Sequence, residues 1–255
     1  MAKIPFCFIL AGILPASAAT ITFQQGVAPT AGYAHLSQDF RGNGAANTGA
    51  QTLVGYQSGG VLEIRTVMGF DLSAIPAGST INSISLLLVS DGSQSGSIAG
   101  VGTVNLHEVV PNGVAANNMI EGQISRTIWK TDSDWSNILG DFTATAMSTA
   151  TLNNANSNTV LDAGETATFG TSAAFVAAAQ SAFDTGLPLE FILIAPTAEG
   201  TTNSSNFFRF RSDDFATTLT DRPLLTIDYT VPEPGSVGLC LLAAGVSVLV
   251  RRRGR

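Results

Sequence analysis

Oxygen-bearing side chains concentrate at three places in this chain. Asp132-Ser133-Asp134 is the first. The run Asn153-Asn154-Ala155-Asn156-Ser157-Asn158, followed by Asp162, is the second, and Asp213-Asp214 is the third. Carboxylates, amides and backbone carbonyls are the ligands of a hard cation, and calcium takes about six to eight of them. None of the three places has the spacing of an EF-hand loop. No motif requires a cofactor. Calcium is the one the sequence admits, with Asp132, Asp134, Asp213 and Asp214 as candidate ligands. The alternative at each place is a solvated polar loop.

A second chemistry is sugar recognition, because flat aromatic rings stack on the C–H faces of sugars. Trp129 and Trp135 are the main candidates, with Tyr33 and Tyr56 beside them; core packing is the alternative. Phe208-Arg209-Phe210-Arg211 alternates with period two. Arg209 and Arg211 therefore share one strand face, where they either bind an anionic glycan or pair with acidic neighbours. Catalysis is poorly supplied. Between residues 20 and 230 the only histidines are His35 and His107. There is no Gly-x-Ser-x-Gly elbow, no His-Glu-x-x-His box and no Walker loop. A carboxylate pair for glycoside hydrolysis leaves no local motif, so an enzyme acting on polysaccharide stays open as a lesser alternative.

The elements that must carry these residues are short strands. Thr20–Gln24 alternates as a first strand. Residues 61–71 put Leu62, Ile64, Thr66, Met68 and Phe70 on one face, and residues 81–90 do the same with Ile84, Leu86 and Leu88. Ile75-Pro76-Ala77-Gly78 supplies the turn between them. Further strands are expected over 102–110, 163–170, 189–195, 206–212 and 224–229. Residues 41–50, 91–100 and 151–158 read as loop. The one good helix runs over 171–184. Ser172 caps it, Phe175, Ala179 and Phe183 line one side, and Gly186 ends it. This pattern predicts an all-β fold, an antiparallel jelly-roll β-sandwich with one short helix.

Residues 20–230 carry seven basic side chains against eighteen acidic ones, a net of −11. That balance excludes a nucleic-acid partner, which needs a cationic footprint. About 210 residues suit one domain. The flanks differ in kind. Lys3, an apolar stretch from Ile4 to Leu14 and Ala16-Ser17-Ala18 form a secretory signal peptide over 1–19, cut after Ala18 or Ala19. At the other end Val231-Pro232-Glu233-Pro234 precedes an uncharged apolar run, 235–250, and the basic stop Arg251, Arg252, Arg253 and Arg255. Sixteen helical residues reach about 24 Å, a short transmembrane helix whose arginines snorkel and face the cytoplasm. The two cysteines, Cys7 and Cys240, both lie in these flanks. The part between them has neither a disulfide nor a thiolate site.

The order of breaker, apolar span and arginines over 231–255 resembles the PEP-CTERM sorting signal of Gram-negative bacteria. The resemblance implies recognition by an exosortase, transient anchoring in the inner membrane, cleavage near Pro232-Glu233-Pro234, and a cell-surface or extracellular destination. Inside the body another order of pieces stands out. Phe23-Gln24-Gln25-Gly26-Val27 opens it, Arg65 to Gly78 and Ile81 to Leu88 follow, then Trp129, Trp135 and Gly140-Asp141-Phe142. Phe208 to Ser212 and Arg222 to Tyr229 close it. These pieces resemble the DNRLRE-type, disaggregatase-related jelly-roll domain, which is carbohydrate-binding-module-like. Ile120-Glu121-Gly122 stands near that family's Thr-Glu-Gly step, and the helix here has no tryptophan. The resemblances together imply an exported, non-catalytic protein of the surface or biofilm matrix that binds or structures extracellular polysaccharide. The competing expectation is a structural subunit of the surface with no glycan recognition.

Overall fold

The computed structural model describes residues 17–30, 34–42, 44, 46–59, 62–92, 101–110, 119–199 and 205–232. Outside them lie most of the expected signal peptide, Tyr33 and the side chain of His35. The tail from Glu233 and Pro234 through the apolar run 235–250 to Arg251, Arg252, Arg253 and Arg255 also lies outside. Among the described residues no helix is long and apolar enough to cross a membrane.

Twelve strands form one antiparallel sheet that bends into two leaves. The first leaf runs β1 (Ser17–Phe23), β14 (Leu224–Val231), β6 (Thr80–Val89), β11 (Thr166–Phe169) and β10 (Ser148–Asn153). The second runs β7 (Asn105–Glu108), β12 (Leu189–Ile194), β5 (Leu62–Phe70), β2 (Ala34–Arg41) and β3 (Ala46–Asn47). Off that path β4 (Gln51–Gln57) pairs with β5, and β13 (Asn206–Arg211) pairs with β4. The corner is β10. Its first residues pair with β7, Ser148 opposite Leu106, and its later ones pair with β11, Ala150 opposite Phe169.

The two leaves enclose one core. Phe23, Leu86, Phe169 and Ile227 come from the first leaf, Met68, Phe70, Leu106 and Phe191 from the second, and all belong to one buried cluster. Period-two alternation puts these side chains inward. In β12 both faces are buried, and apolar residues fill every position but Glu190. Phe191 and Leu193 face the main core, while Ile192 and Ile194 join a second core beneath residues 119–142. A third layer therefore covers the outer face of the second leaf.

Helix α1 (Ala173–Thr185) forms where the spacing predicts. The Ser172 hydroxyl accepts the Phe175 N–H at 3.0 Å, and Gly186 ends the helix at φ 67°. Phe175 is fully buried and meets Phe191 edge-on at 6.2 Å. A second helix, α2 (Pro196–Glu199), is four residues long. Three expectations are corrected. Residues 151–153 are strand rather than loop, because β11 offers them a ladder. Residues 46–47 pair with β2. Strands β2 and β4 were not expected at all, since β2 buries the polar run Ser37, Gln38 and Asp39. Gln38 and Asp39 are paired: the Gln38 amide donates to Ile124 O at 2.6 Å and accepts from Gly122 N at 2.7 Å. Arg41 and Asn47 both donate to the Asp39 carboxylate.

Candidate functional site

Residues 119–142 carry most of the candidate chemistry, and a hairpin and a buried carboxylate shape them. Strands β8 (Ile128–Lys130) and β9 (Ser133–Asp134) form a small separate sheet. Behind it the Asp141 carboxylate, itself buried, accepts the backbone N–H groups of Ser136 and Asn137 at 2.6 and 2.8 Å. It also accepts the Asn137 side-chain amide at 2.6 Å. Hydrogen bonds to an ionised acceptor are the strong ones. Asp141→Ala is expected to cost about 2 kcal/mol and to raise amide exchange across 133–140, read by urea unfolding and hydrogen exchange. An unchanged exchange pattern would show that the carboxylate does not hold this segment.

Trp129 and Trp135 sit against that frame and are 7% and 6% exposed. Trp135 stacks on Phe40 at 6.2 Å and donates its ring N–H to Ser125 O at 3.0 Å. Trp129 lies 6.5 Å from Trp135, with the Lys130 ammonium 4.4 Å over its ring. The candidate sugar platform is thus corrected: both rings fill the second core and neither offers an open face. Tyr56 is buried too.

The candidate calcium ligands divide. Asp132 and Asp134 are exposed on the β8–β9 hairpin, Asp132 at φ 59°. Asp213 is buried at the end of β13, and Asp214 beside it is exposed. Among the described residues no three His, Cys, Asp or Glu side chains form a metal-holding group. The four aspartates are therefore not one calcium site. What the fold does bring near Asp213 is Glu121, from Ile120-Glu121-Gly122. Burial first, then the charges of Asp213 and Asp214, push the Glu121 carboxyl up to about 7. Burial and Asp214 push Asp213 up to about 6, against the pull of Arg222. Glu121 Oε1 and Asp213 Oδ1 are buried without a hydrogen-bond partner. Crowded carboxyls of this kind favour the protonated form. No local pattern announces this pairing beyond the acidity of each residue.

Arg209 and Arg211 do share a strand face, as the alternation predicts, and both are half-buried. Arg211 is engaged within the protein. It pairs with Asp221, lies 3.6 Å from Asp91, and stacks 4.5 Å over Phe215. The Arg209 Nε has no hydrogen-bond partner. His107 is buried, and its Nδ1 lies 2.7 Å from Thr143 O, so the ring donates there. Burial lowers its pKa below the usual imidazole range. Glu108 points to the other face of the strand, and burial raises its pKa. Arg65 grips Glu199 through two hydrogen bonds, 3.1 and 2.7 Å, and a third to Leu139 O at 2.9 Å. These polar groups tie segments together rather than converge on a shared open site.

A concave surface lies elsewhere, where the C-terminal end of α1 meets the β5–β6 turn. A cleft of about 360 Å³ opens there. Leu72, Ile75 and Leu187 give it apolar walls, Phe183 adds a half-buried ring, and Asp71 and Asp184 stand exposed at its rim. Gly78, at φ 78°, forms part of the lining and lies beside Pro232, where the chain leaves β14. None of the lining residues is among the candidates drawn from the sequence. Their signal was weak, because Asp71 and Asp184 read as ordinary turn and helix-end residues. Compared with models of protein families and with curated proteins, the chain gives no match to either.

Proposed function

We propose that this chain is an exported, non-catalytic protein of the cell surface or extracellular matrix. Its body is a carbohydrate-binding-module-like jelly roll that binds or structures extracellular polysaccharide. Its tail holds it at the inner membrane until an exosortase cuts near Pro232. The observation that supports this reading best is the ladder between β1 and β14. Ser17 lies opposite Val231 and Phe23 opposite Leu225. The two ends of the body are thus neighbours in one ladder. The expected signal peptide and the sorting tail both leave from its Ser17–Val231 end. Cutting after Ala18 removes only the terminal rungs, Ser17–Val231 and Ala18–Thr230, while the core residue Phe23 stays paired. Trimming after Ala18 and near Pro232 keeps Ala19 and Val231, which pack against the main core.

The tied-down His107 and Arg65 support the non-catalytic part of the reading. The burial of Trp129 and Trp135 favours a second reading, a structural subunit without glycan recognition. A glycan array separates the two. The full chain, solubilised in a detergent without a sugar headgroup, is expected to bind a subset of polysaccharides. A blank array would leave the structural subunit, and release of reducing sugar during incubation would reinstate an enzyme.

A further inference from the structure

We infer that the cleft at the C-terminal end of α1 is a binding site for an uncharged or amino sugar of a glycan. The inference rests on the glycan-binding reading and adds to it a place and a ligand class. Size comes first. About 360 Å³ lies in the range of natural small-ligand sites, roughly 300–1,000 Å³, and accommodates a sugar ring.

Chemistry comes second. Sugars present an apolar C–H face and a rim of hydroxyls, so their sites pair an aromatic or aliphatic floor with a few fixed polar groups. Leu187 and the Phe183 ring, both half-buried, supply the floor, with Leu72 and Ile75 buried beneath it. Asp71 and Asp184 supply the acceptors. Each has one oxygen already held by the protein. Asp71 Oδ1 accepts Ser73 N–H at 2.8 Å, and Asp184 Oδ1 accepts the Gln180 amide at 2.9 Å. Those bonds fix the orientation of each carboxylate and leave its second oxygen for a ligand hydroxyl or ammonium. Gln180 is itself anchored, accepting Ile81 N–H at 2.8 Å, so the acceptor on the helix is preorganised.

Charge comes third and selects the class. No basic residue lines the cleft. Two carboxylates and the negative end of the α1 dipole make it electronegative. Uronates and sulfated sugars are repelled there. Neutral hexoses are accepted through their hydroxyls, and a glucosamine ammonium is favoured further.

The test uses the full chain in lauryldimethylamine oxide and three probes: cellotetraose, a glucosamine tetramer and tetragalacturonate. Calorimetric titration is expected to show binding of the first two, tighter for the glucosamine tetramer, and none of the third. Asp71→Asn with Asp184→Asn is expected to weaken the glucosamine tetramer by about tenfold or more. Both side chains are exposed, so the double variant keeps its fold, checked by its unfolding midpoint. A ring-preserving control, Phe183→Tyr, is expected to retain binding, and Phe183→Ala to lose it. Equal binding by wild type and the double variant would overturn the cleft as the site and leave glycan recognition standing. Preference for tetragalacturonate would overturn the charge selection. Binding of none of the three, together with a blank glycan array, would overturn the cleft and the glycan reading at once.

Discussion

Gly55→Ala is expected to cost about 4 kcal/mol, the sum of an overpacking penalty and a strained backbone angle. Gly55 lies in β4 at φ 134°, opposite Phe207 and Ile64. An added methyl would sit 2.3 Å from Asn206 O and 2.8 Å from Phe207 Cα. Both contacts are backbone atoms of β13, so no side chain can swing away. The only relief is to part β4 from β13, and that uncovers Phe208 and Phe210 of the main core. A whole domain is held by roughly 5–15 kcal/mol, so a loss of this size is a large share. Gly59 is the control. It has φ 83° but nothing within 4 Å of the added methyl, so Gly59→Ala is expected to cost about 1 kcal/mol from conformation alone. Urea unfolding of the two variants reads the difference. Equal costs would mean that the close approach of β4 and β13 is not as tight as the geometry shows.

Glu190→Gln carries the second large effect, and its sign depends on pH. Glu190 is 3% exposed on β12, and its carboxylate accepts the Met119 N–H at 2.7 Å. Burial pushes its pKa up to about 7, only partly offset by that hydrogen bond and by Lys130. An unfolded glutamate titrates near ~4.3. Between those values the folded state binds more protons than the unfolded one, so stability falls as pH rises through the window. Above about 7 the folded chain holds a buried charge and the loss is complete. A shift of this size corresponds to about 4 kcal/mol. Asp213 and Glu121 act in the same direction, Glu121 less because it is half-exposed and screened. The wild-type chain is thus expected to lose about 5 kcal/mol between pH 5 and pH 8, about half of it from Glu190. Glu190→Gln keeps an acceptor for Met119 and removes the charge. It is expected to remove about half of that slope and to exceed wild type by about 2 kcal/mol at pH 8. Urea midpoints at four pH values decide it. A wild-type stability that climbs with pH would contradict the buried, proton-binding glutamate.

Local periodicity made much of the fold legible. The helix was readable because its start and end are written in Ser172 and Gly186. Strands β5, β6, β12 and β14 were readable because their apolar residues repeat with period two or, in β12, fill every position but Glu190. The mostly antiparallel β class follows from them. Strand β2 was not readable, because its Ser37, Gln38 and Asp39 look like loop and are buried only by virtue of Ile124, Gly122 and Asn47. Strand β4 was hidden by Gly55, which reads as a breaker and serves as a clearance.

The site was less legible than the fold for the same reason. Trp129 and Trp135 have the composition of a sugar platform. Their burial follows from a third layer that no local pattern announces. Asp213 finds Glu121 rather than Asp132, because the segment after Met119 is laid over β2 by hydrogen bonds to Gln38. The cleft at α1 arises from the meeting of a helix end and a turn distant in sequence, each unremarkable alone.

On the proposed reading, both hydrophobic flanks are removed from a body that folds without them. Intact-mass analysis of the protein recovered from cells with a working exosortase tests it most directly. The expected chain begins at Ala19 or Thr20 and ends near Pro232 to Pro234, with any attached glycan seen as added mass. A recovered chain that still carries Met1 and the arginines from Arg251 to Arg255 would contradict it.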